Sequence, residues 1–209
     1  MKLLYITLLM LSLDVIAGSN ALDLFFSNTH SLTANFKQTI ADKYGTPIEE
    51  SEGILSIKRP NKFSLNYIKP DEQSYISDGK TLWIYDVELE QVTISGVDDK
   101  LLNSPVLLIT SDKNIRDLYQ VKETIDYDNP DLDIFILTSK IVKDEADKIF
   151  SNIQFSFHKQ QLIEIKMADN FDQITRLNLY NQINNASIDD QVFSLSIPAD
   201  VDVIGKQPN

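Results

Sequence analysis

Apolar and polar residues alternate along most of the chain from Ser31 onwards, and this period of two predicts β-strands. The predicted strands run from residues 31–40 at one end to residues 192–197 at the other. Turn sequences such as KPDE and SDGK join them closely, and loops this short connect antiparallel neighbours. The pattern therefore predicts a meandering antiparallel sheet.

Short stretches without this alternation predict helices. Leu22–Asn28 places its apolar residues on one side, and Ser104 with Pro105 provides the start of a second helix. Asp112 is the predicted cap of a third. Residues 140–148 are predicted to form a solvated turn. An antiparallel sheet of about eleven strands in a chain of this length curls strongly, and the helices must cover its apolar face.

The predicted fold class is therefore mainly β (α+β): an incomplete antiparallel β-barrel of about eleven strands, capped by short α-helices. The alternation alone leaves open whether the interior is a filled core or a cavity. Residues 22–204 are assigned to one domain, and residues 205–209 to a flexible tail.

The first 21 residues have the pattern of a secretory signal peptide. Lys2 precedes the apolar run LLYITLLMLSL, and small residues allow cleavage after Ala17 or Ala21. An N-terminal membrane anchor is the alternative. No later stretch approaches the roughly eighteen apolar residues of a membrane span, so the mature protein is predicted to be soluble.

The charge and cysteine content narrow the function classes further. The chain of 209 residues carries a formal charge of −12, which argues against nucleic acid or anionic lipid headgroups as the main ligand. It contains no cysteine, which excludes disulfides, thiolate metal sites, cysteine nucleophiles and a lipidated N-terminal cysteine.

A search for catalytic groups gives no support for an enzyme. The two histidines, His30 and His158, lie at predicted element ends without the spacing of a metal site. The chain has no nucleophile motif, phosphate-binding loop or calcium loop. We therefore predict a non-enzymatic protein with no cofactor and no metal.

One arginine occupies an unusual place. Leu55, Ile57 and Arg59 share one strand face, directly before Pro60, so a guanidinium lies in line with apolar side chains and requires a partner. Taken alone, Arg59 is more often a strand-end charge that reaches solvent or a carboxylate. The aromatic residues at strand spacing are, likewise, more often plain core.

Several motifs in order resemble the LolA family, the periplasmic carriers of outer-membrane lipoproteins in Gram-negative bacteria. They are F-x-Q at Phe36 and Gln38, the run GILSIKRPNKF, the segment PDE, the block SDGKTLWIY, EQV and SPVLLI. The resemblance extends from Leu22 to about Ile204. The KRPNKF and SDGKTLWIYD blocks at the family's separation make it specific.

The resemblance implies a lid of short helices held by Arg59, whose partners are backbone carbonyls near Ile109 and Thr110 and in the first helix. Phe63 is the family's phenylalanine associated with cavity lining and handover. The residues that we expect in the acyl-chain cavity are Leu55, Ile57, Phe63, Leu65, Tyr67, Trp83, Leu107, Leu108 and Phe155.

The expected function is that of a monomeric periplasmic chaperone. It would take triacylated lipoproteins from an inner-membrane ATP-driven exporter and pass them to an outer-membrane receptor. The alternative is a LolA-like periplasmic module that senses lipids or peptides. A lipoprotein receptor is disfavoured by the absence of cysteine, and a hydrolase by the absence of a nucleophile.

Overall fold

The structure, a computed structural model, describes residues 20–97, 105–140, 150–169 and 171–206. Within them, twelve strands form one sheet. The strands are β1 (Ser31–Ala41), β2 (Pro47–Lys58), β3 (Lys62–Lys69), β4 (Gln73–Asp78), β5 (Thr81–Asp86), β6 (Gln91–Gly96), β7 (Tyr119–Thr124), β8 (Leu132–Ser139), β9 (Phe150–His158), β10 (Gln161–Asp169), β11 (Ile174–Asn184) and β12 (Asp202–Gly205). The helices are α1 (Ala21–Asn28), α2 (Pro105–Thr110), α3 (Ile115–Leu118) and a 3₁₀ helix, η1 (Asp190–Phe193).

The sheet consists of two antiparallel meanders joined side by side. Its strand order is β12-β6-β5-β4-β3-β2-β1-β11-β10-β9-β8-β7, so the first and last strands of the two meanders meet at the β1–β11 pair. The sheet is open, with β12 and β7 at its edges. The predicted fold class, a mainly β protein with an incomplete barrel and a few short helices, is confirmed.

The C-terminal segment differs from the prediction. Residues 192–197 do not form a strand, because Asp189 accepts a hydrogen bond from the backbone N–H of Gln191 and caps η1. The twelfth strand lies later, at residues 202–205, and pairs in parallel with β6. Gly205, which the sequence analysis assigned to the tail, therefore belongs to the sheet.

One face of the sheet, called here the inner face, packs against the helices. α1 contacts β9 and β10, and α2 contacts β3. Phe25 of α1 packs against Phe157 with ring centroids 5.8 Å apart, and Phe26 stacks on Phe155 at 6.3 Å. Burying these rings provides much of the energy that holds the short helices on the sheet, since helices this short have little stability of their own.

The opposite, outer face carries a second apolar cluster. Trp83 lies there with Ile76, Val92 and Ile94, and the C-terminal Leu195 packs against them. The prediction that Trp83 lines the cavity is therefore wrong. Both faces of β5 are apolar, so alternation alone did not show which face points inward.

The caps of α1 and α3 are side chains of asparagine. Asn20 accepts a hydrogen bond from the backbone N–H of Asp23, and Asn114 accepts one from Arg116. Asn114, rather than the predicted Asp112, is thus the cap of α3. The predicted cap Ser104 lies outside the described residues. So does nearly all of the predicted turn at residues 140–148, where the structure describes Lys140 alone.

Gly53 in β2 allows side chains on the two neighbouring strands to meet. Gly53 pairs with Phe36 on one side and with Tyr67 on the other, and the two rings make edge contact with centroids 5.1 Å apart. A Cβ atom at Gly53 would lie 2.0 Å from the Asn66 carbonyl oxygen and 2.7 Å from the Phe36 ring. A side chain at this position is therefore incompatible with the packing around it.

We predict that Gly53→Ala lowers the free energy of unfolding by about 3 kcal/mol or more, because the added methyl group overpacks the sheet. Gly45→Ala is the matched control. Gly45 has a φ of +85° but open space around its Cβ position, so this change costs about 1–2 kcal/mol of backbone strain. Urea denaturation of both variants measures the difference. Equal losses of stability would contradict the packing role of Gly53.

Candidate functional site

Arg59 lies between the sheet and two helices that cover its inner face. It follows the last residue of β2, and its backbone N–H donates to the carbonyl of His30, 2.9 Å away. Its Nε donates to the carbonyl of Ile109 in α2 at 2.9 Å, and its Nη1 donates to the carbonyl of Phe26 in α1. One side chain thus bridges both helices. We call α1 and α2 the lid, and these two bonds the latch.

Thr110 contributes to the closed arrangement by another route. Its carbonyl accepts a hydrogen bond from the backbone N–H of Asn61, 2.9 Å away, rather than from Arg59. Its Oγ1 donates to the carbonyl of Leu107 at 3.0 Å, so the buried hydroxyl is satisfied within α2. The turn after Arg59 therefore holds the lid by its backbone as well.

The guanidinium is enclosed by aromatic rings. Its Cζ lies 5.2 Å from the ring centroid of Phe25 and 4.9 Å from that of Phe26, within the range of cation–π attraction. Its Nη2 is buried and has no hydrogen-bond partner within the described part of the chain. Burial lowers the pKa of Arg59 to about 10, so the side chain stays charged at neutral pH.

A second bridge joins the helices at the surface. Arg116 of α3 forms a bidentate ion pair with Asp23 of α1, with both nitrogen–oxygen distances 3.0 Å. The hydrogen bond with Asp23 raises the pKa of Arg116. Exposed ion pairs of this kind add little stability, commonly below about 1 kcal/mol. The sequence analysis missed this pair because no local pattern connects residues so far apart in the chain.

An apolar cavity of about 270 Å³ lies between α2 and the inner face. Of the predicted cavity residues, Phe63, Leu65, Tyr67 and Leu107 line it. Leu55, Ile57, Leu108 and Phe155 are instead fully buried in the adjoining core. The lining residues that the sequence analysis did not assign to the cavity are Gln38, Tyr75, Leu82, Ile84, Val106, Met167 and Leu177.

Leu82 and Ile84 show how the missing residues could have been found. They neighbour Trp83 in β5 and lie on the face opposite to it. Pairing β5 with β3 through β4 would have assigned Leu82 and Ile84 to the inner face, since residues opposite each other in paired strands share a face.

The cavity and its surroundings suggest binding rather than bond chemistry. The cavity walls are mostly aliphatic and aromatic, with Gln38 as the polar exception. Among the described residues, no three His, Asp or Glu side chains come together as metal ligands. In the same part of the chain, no helix has the length and apolar character of a membrane span. A curved sheet with an apolar cavity beneath a latched lid defines a binding protein for apolar ligands.

Comparison with known proteins identifies the family. Residues 27–196 match the model of the family described as outer membrane lipoprotein carrier protein LolA. The chain is 36% identical over 193 residues to an outer-membrane lipoprotein carrier protein of Hahella chejuensis, covering 92% of this chain and 90% of that protein. It is 35% identical over 180 residues to the carrier protein of Chromobacterium violaceum, covering 86% and 84%. The chain belongs to the LolA family.

Solved structures share the fold at low sequence identity. A conserved protein of Thermus thermophilus, described as uncharacterized, superposes with a TM-score of 0.54 at 13% identity, covering 88% of this chain and 96% of that one. A LolA superfamily protein from Nitrosomonas europaea gives 0.50 at 12% identity, covering 84% and 94%. These likenesses concern the fold alone.

We predict that Arg59→Leu preserves the sheet but loosens the lid, because it removes both side-chain bonds that join α1 and α2. Losing two charge-assisted bonds destabilises the closed lid, and removing the buried guanidinium offsets part of this cost. The net change in the free energy of lid opening is about 2 kcal/mol, which raises the equilibrium constant for opening roughly thirtyfold. Hydrogen exchange of the backbone amides in α1 and α2 measures it. Arg176→Leu removes an exposed arginine of β11 and is the control. Unchanged exchange in the lid of Arg59→Leu would contradict the latch.

Proposed function

We propose that this protein is a periplasmic carrier that binds the acyl chains of lipoproteins and delivers them to the outer membrane. Membership of the LolA family carries this proposal, since its curated relatives are named outer-membrane lipoprotein carrier proteins. The apolar cavity beneath the lid agrees with acyl chains as the bound part of the cargo. Carriage needs no bond chemistry, in agreement with the prediction that the chain is not an enzyme.

The size of the cavity implies that cargo moves the lid. A volume of about 270 Å³ is at or below the lower end of small-ligand pockets, about 300–1,000 Å³. Three acyl chains do not fit into it. Val106 and Leu107 of α2 line the cavity, so displacing this helix enlarges the space directly.

The free energy gained by burying an acyl chain is large enough to open the lid. Each buried methylene contributes about 0.8 kcal/mol, so one chain of about fourteen methylenes gains about 11 kcal/mol of apolar transfer. Each charge-assisted bond of the latch is worth about 1.5–3 kcal/mol. A fraction of the transfer energy is therefore enough to break the bonds that Arg59 makes with Phe26 and Ile109. The same bonds bias the empty carrier towards closure.

The partners before and after carriage follow from the same proposal. Lipoproteins anchored by acyl chains do not leave a membrane unaided, so an ATP-driven exporter in the inner membrane is the proposed donor. A receptor in the outer membrane is the proposed acceptor. The alternative of a sensor module predicts altered stress transcription on depletion, whereas a carrier predicts lipoproteins stranded in the inner membrane.

The direct test is binding of a triacylated lipoprotein. The purified protein is expected to form a 1:1 complex with the triacylated form and none with the same lipoprotein lacking its acyl chains. Size-exclusion chromatography with mass analysis distinguishes the two. Equal binding of both forms would contradict carriage by acyl chains. Arg59→Leu should still bind the cargo but release it poorly, because closure no longer competes with the bound chains.

We also propose that the signal peptide is removed after Ala17. The side chain of Asn20 caps α1, and its carbonyl accepts a hydrogen bond from the backbone N–H of Leu24. Ala21 is buried in the core. Cleavage after Ala21 would remove the cap and a core residue.

N-terminal sequencing of the protein purified from the periplasm is therefore expected to begin at Gly18. The reason is that cleavage there keeps both the cap and the first buried residue of the lid in the mature chain. A mature protein that begins at Leu22 would contradict this proposal.

A further inference from the structure

The apolar cavity has a polar wall at one end. Gln38, Tyr67 and Tyr75 line the cavity, and the same three residues also line an open groove of about 480 Å³ on their other side. The remaining residues of this groove are Glu49, Ser51, Pro70, Asp71, Glu72, Gln73, Asp86 and Glu88. These three side chains thus lie at the boundary between the cavity and the groove, and both spaces are partly open to solvent.

This wall lies far from the latch. Ser31 pairs with Lys58 at the latch end of β1 and β2, whereas Gln38 pairs with Ser51. Seven residues of extended strand span about 23 Å. The wall and the latch therefore lie at different ends of the inner face.

One hydrogen bond and one ring contact connect the three side chains of the wall. The hydroxyl of Tyr67 donates to Oε1 of Gln38 at 2.9 Å, and the hydroxyl of Tyr75 donates to Oε1 of Gln73 at 2.9 Å. The two tyrosine rings are in edge contact with centroids 6.0 Å apart. Burial raises the pKa of Tyr67 above its ordinary value, so its hydroxyl keeps its proton and remains a donor at neutral pH.

The wall is easier to open than the latch. Neutral hydrogen bonds are roughly half as strong as charge-assisted ones. In the part of the chain that the structure describes, no backbone hydrogen bond joins the wall to the lid, whereas the N–H of Asn61 donates to the carbonyl of Thr110. When the Tyr67–Gln38 bond breaks, both groups can bond to water in the groove that they already line, so little is lost. The Arg59 guanidinium lies between rings instead.

We propose that Gln38, Tyr67 and Tyr75 form a gate through which an acyl chain passes between the cavity and the groove. The gate is a second route, independent of the lid. It rests on the proposed function, since it assumes that acyl chains occupy the cavity. An apolar chain meets the faces of the two tyrosine rings, and its polar end remains in the solvated groove.

The experiment measures how fast an uncharged probe, a dansyl-labelled fatty alcohol, associates with and dissociates from the protein, by stopped-flow fluorescence. Tyr67→Phe keeps the ring that packs on Phe36 but removes the hydrogen bond to Gln38. Both rates are expected to rise about fivefold, with the dissociation constant nearly unchanged. Tyr85→Phe, on the outer face, is the matched control and should leave both rates as they are.

A second variant tests the pair rather than the single residue. Gln38→Leu removes the acceptor of the same bond, and the double variant with Tyr67→Phe should be no faster than either single one, because the two changes break one interaction. Additive acceleration would contradict a shared bond. The thermal unfolding temperature of each variant shows whether its fold is intact.

The outcomes separate this proposal from the proposed function. If the probe binds and Arg59→Leu accelerates exchange while Tyr67→Phe and Gln38→Leu do not, the lid is the only route and the gate is overturned. If the wild-type protein binds neither the probe nor a triacylated lipoprotein, the proposed function fails and the gate with it. Faster exchange in both gate variants supports the gate.

Discussion

The arrangement of the molecule depends on one buried cation that is held by carbonyls rather than by a carboxylate. Arg59 bonds to Ile109 and Phe26 and lies against two rings, while its Nη2 remains without a partner among the described residues. A buried carboxylate would add an ion pair that is costly to break. Carbonyl partners hold the lid more weakly than a carboxylate would. A lid whose open and closed states have similar free energies can be opened by a ligand.

The sequence predicted the place of Arg59 better than its surroundings. Alternation with Leu55 and Ile57 was enough to put the guanidinium on the inner face, and the cost of burying it required a partner. Which groups would meet it depended on family resemblance, because carbonyls of distant helices leave no mark in a local pattern. Even then, Thr110 is bonded by Asn61 instead, since the turn after Pro60 brings a backbone N–H closer to it.

The errors share a physical cause, which is that local patterns do not encode distant pairing. Trp83 was assigned to the inner face because both faces of β5 are apolar. The outer face is apolar because the C-terminal segment packs on it through Leu195 and Val201. β12 has four residues, all exposed, so its hydrophobic pattern is weak, and its strand character comes from pairing with β6. Asp112 and Asn114 are both good helix caps. The position of the helix in three dimensions decides between them.

β2 connects the two ends of the inner face. Arg59 directly follows this strand at the latch end, and Gly53 lies within it, where Phe36 and Tyr67 meet across the missing side chain. β2 pairs with β1 from Pro47 to Lys58 and with β3 from Glu52 to Lys58. Groups this far apart without shared partners contribute nearly independently to the free energy. The lid can therefore open at one end of the cavity independently of opening at the proposed gate at the other end.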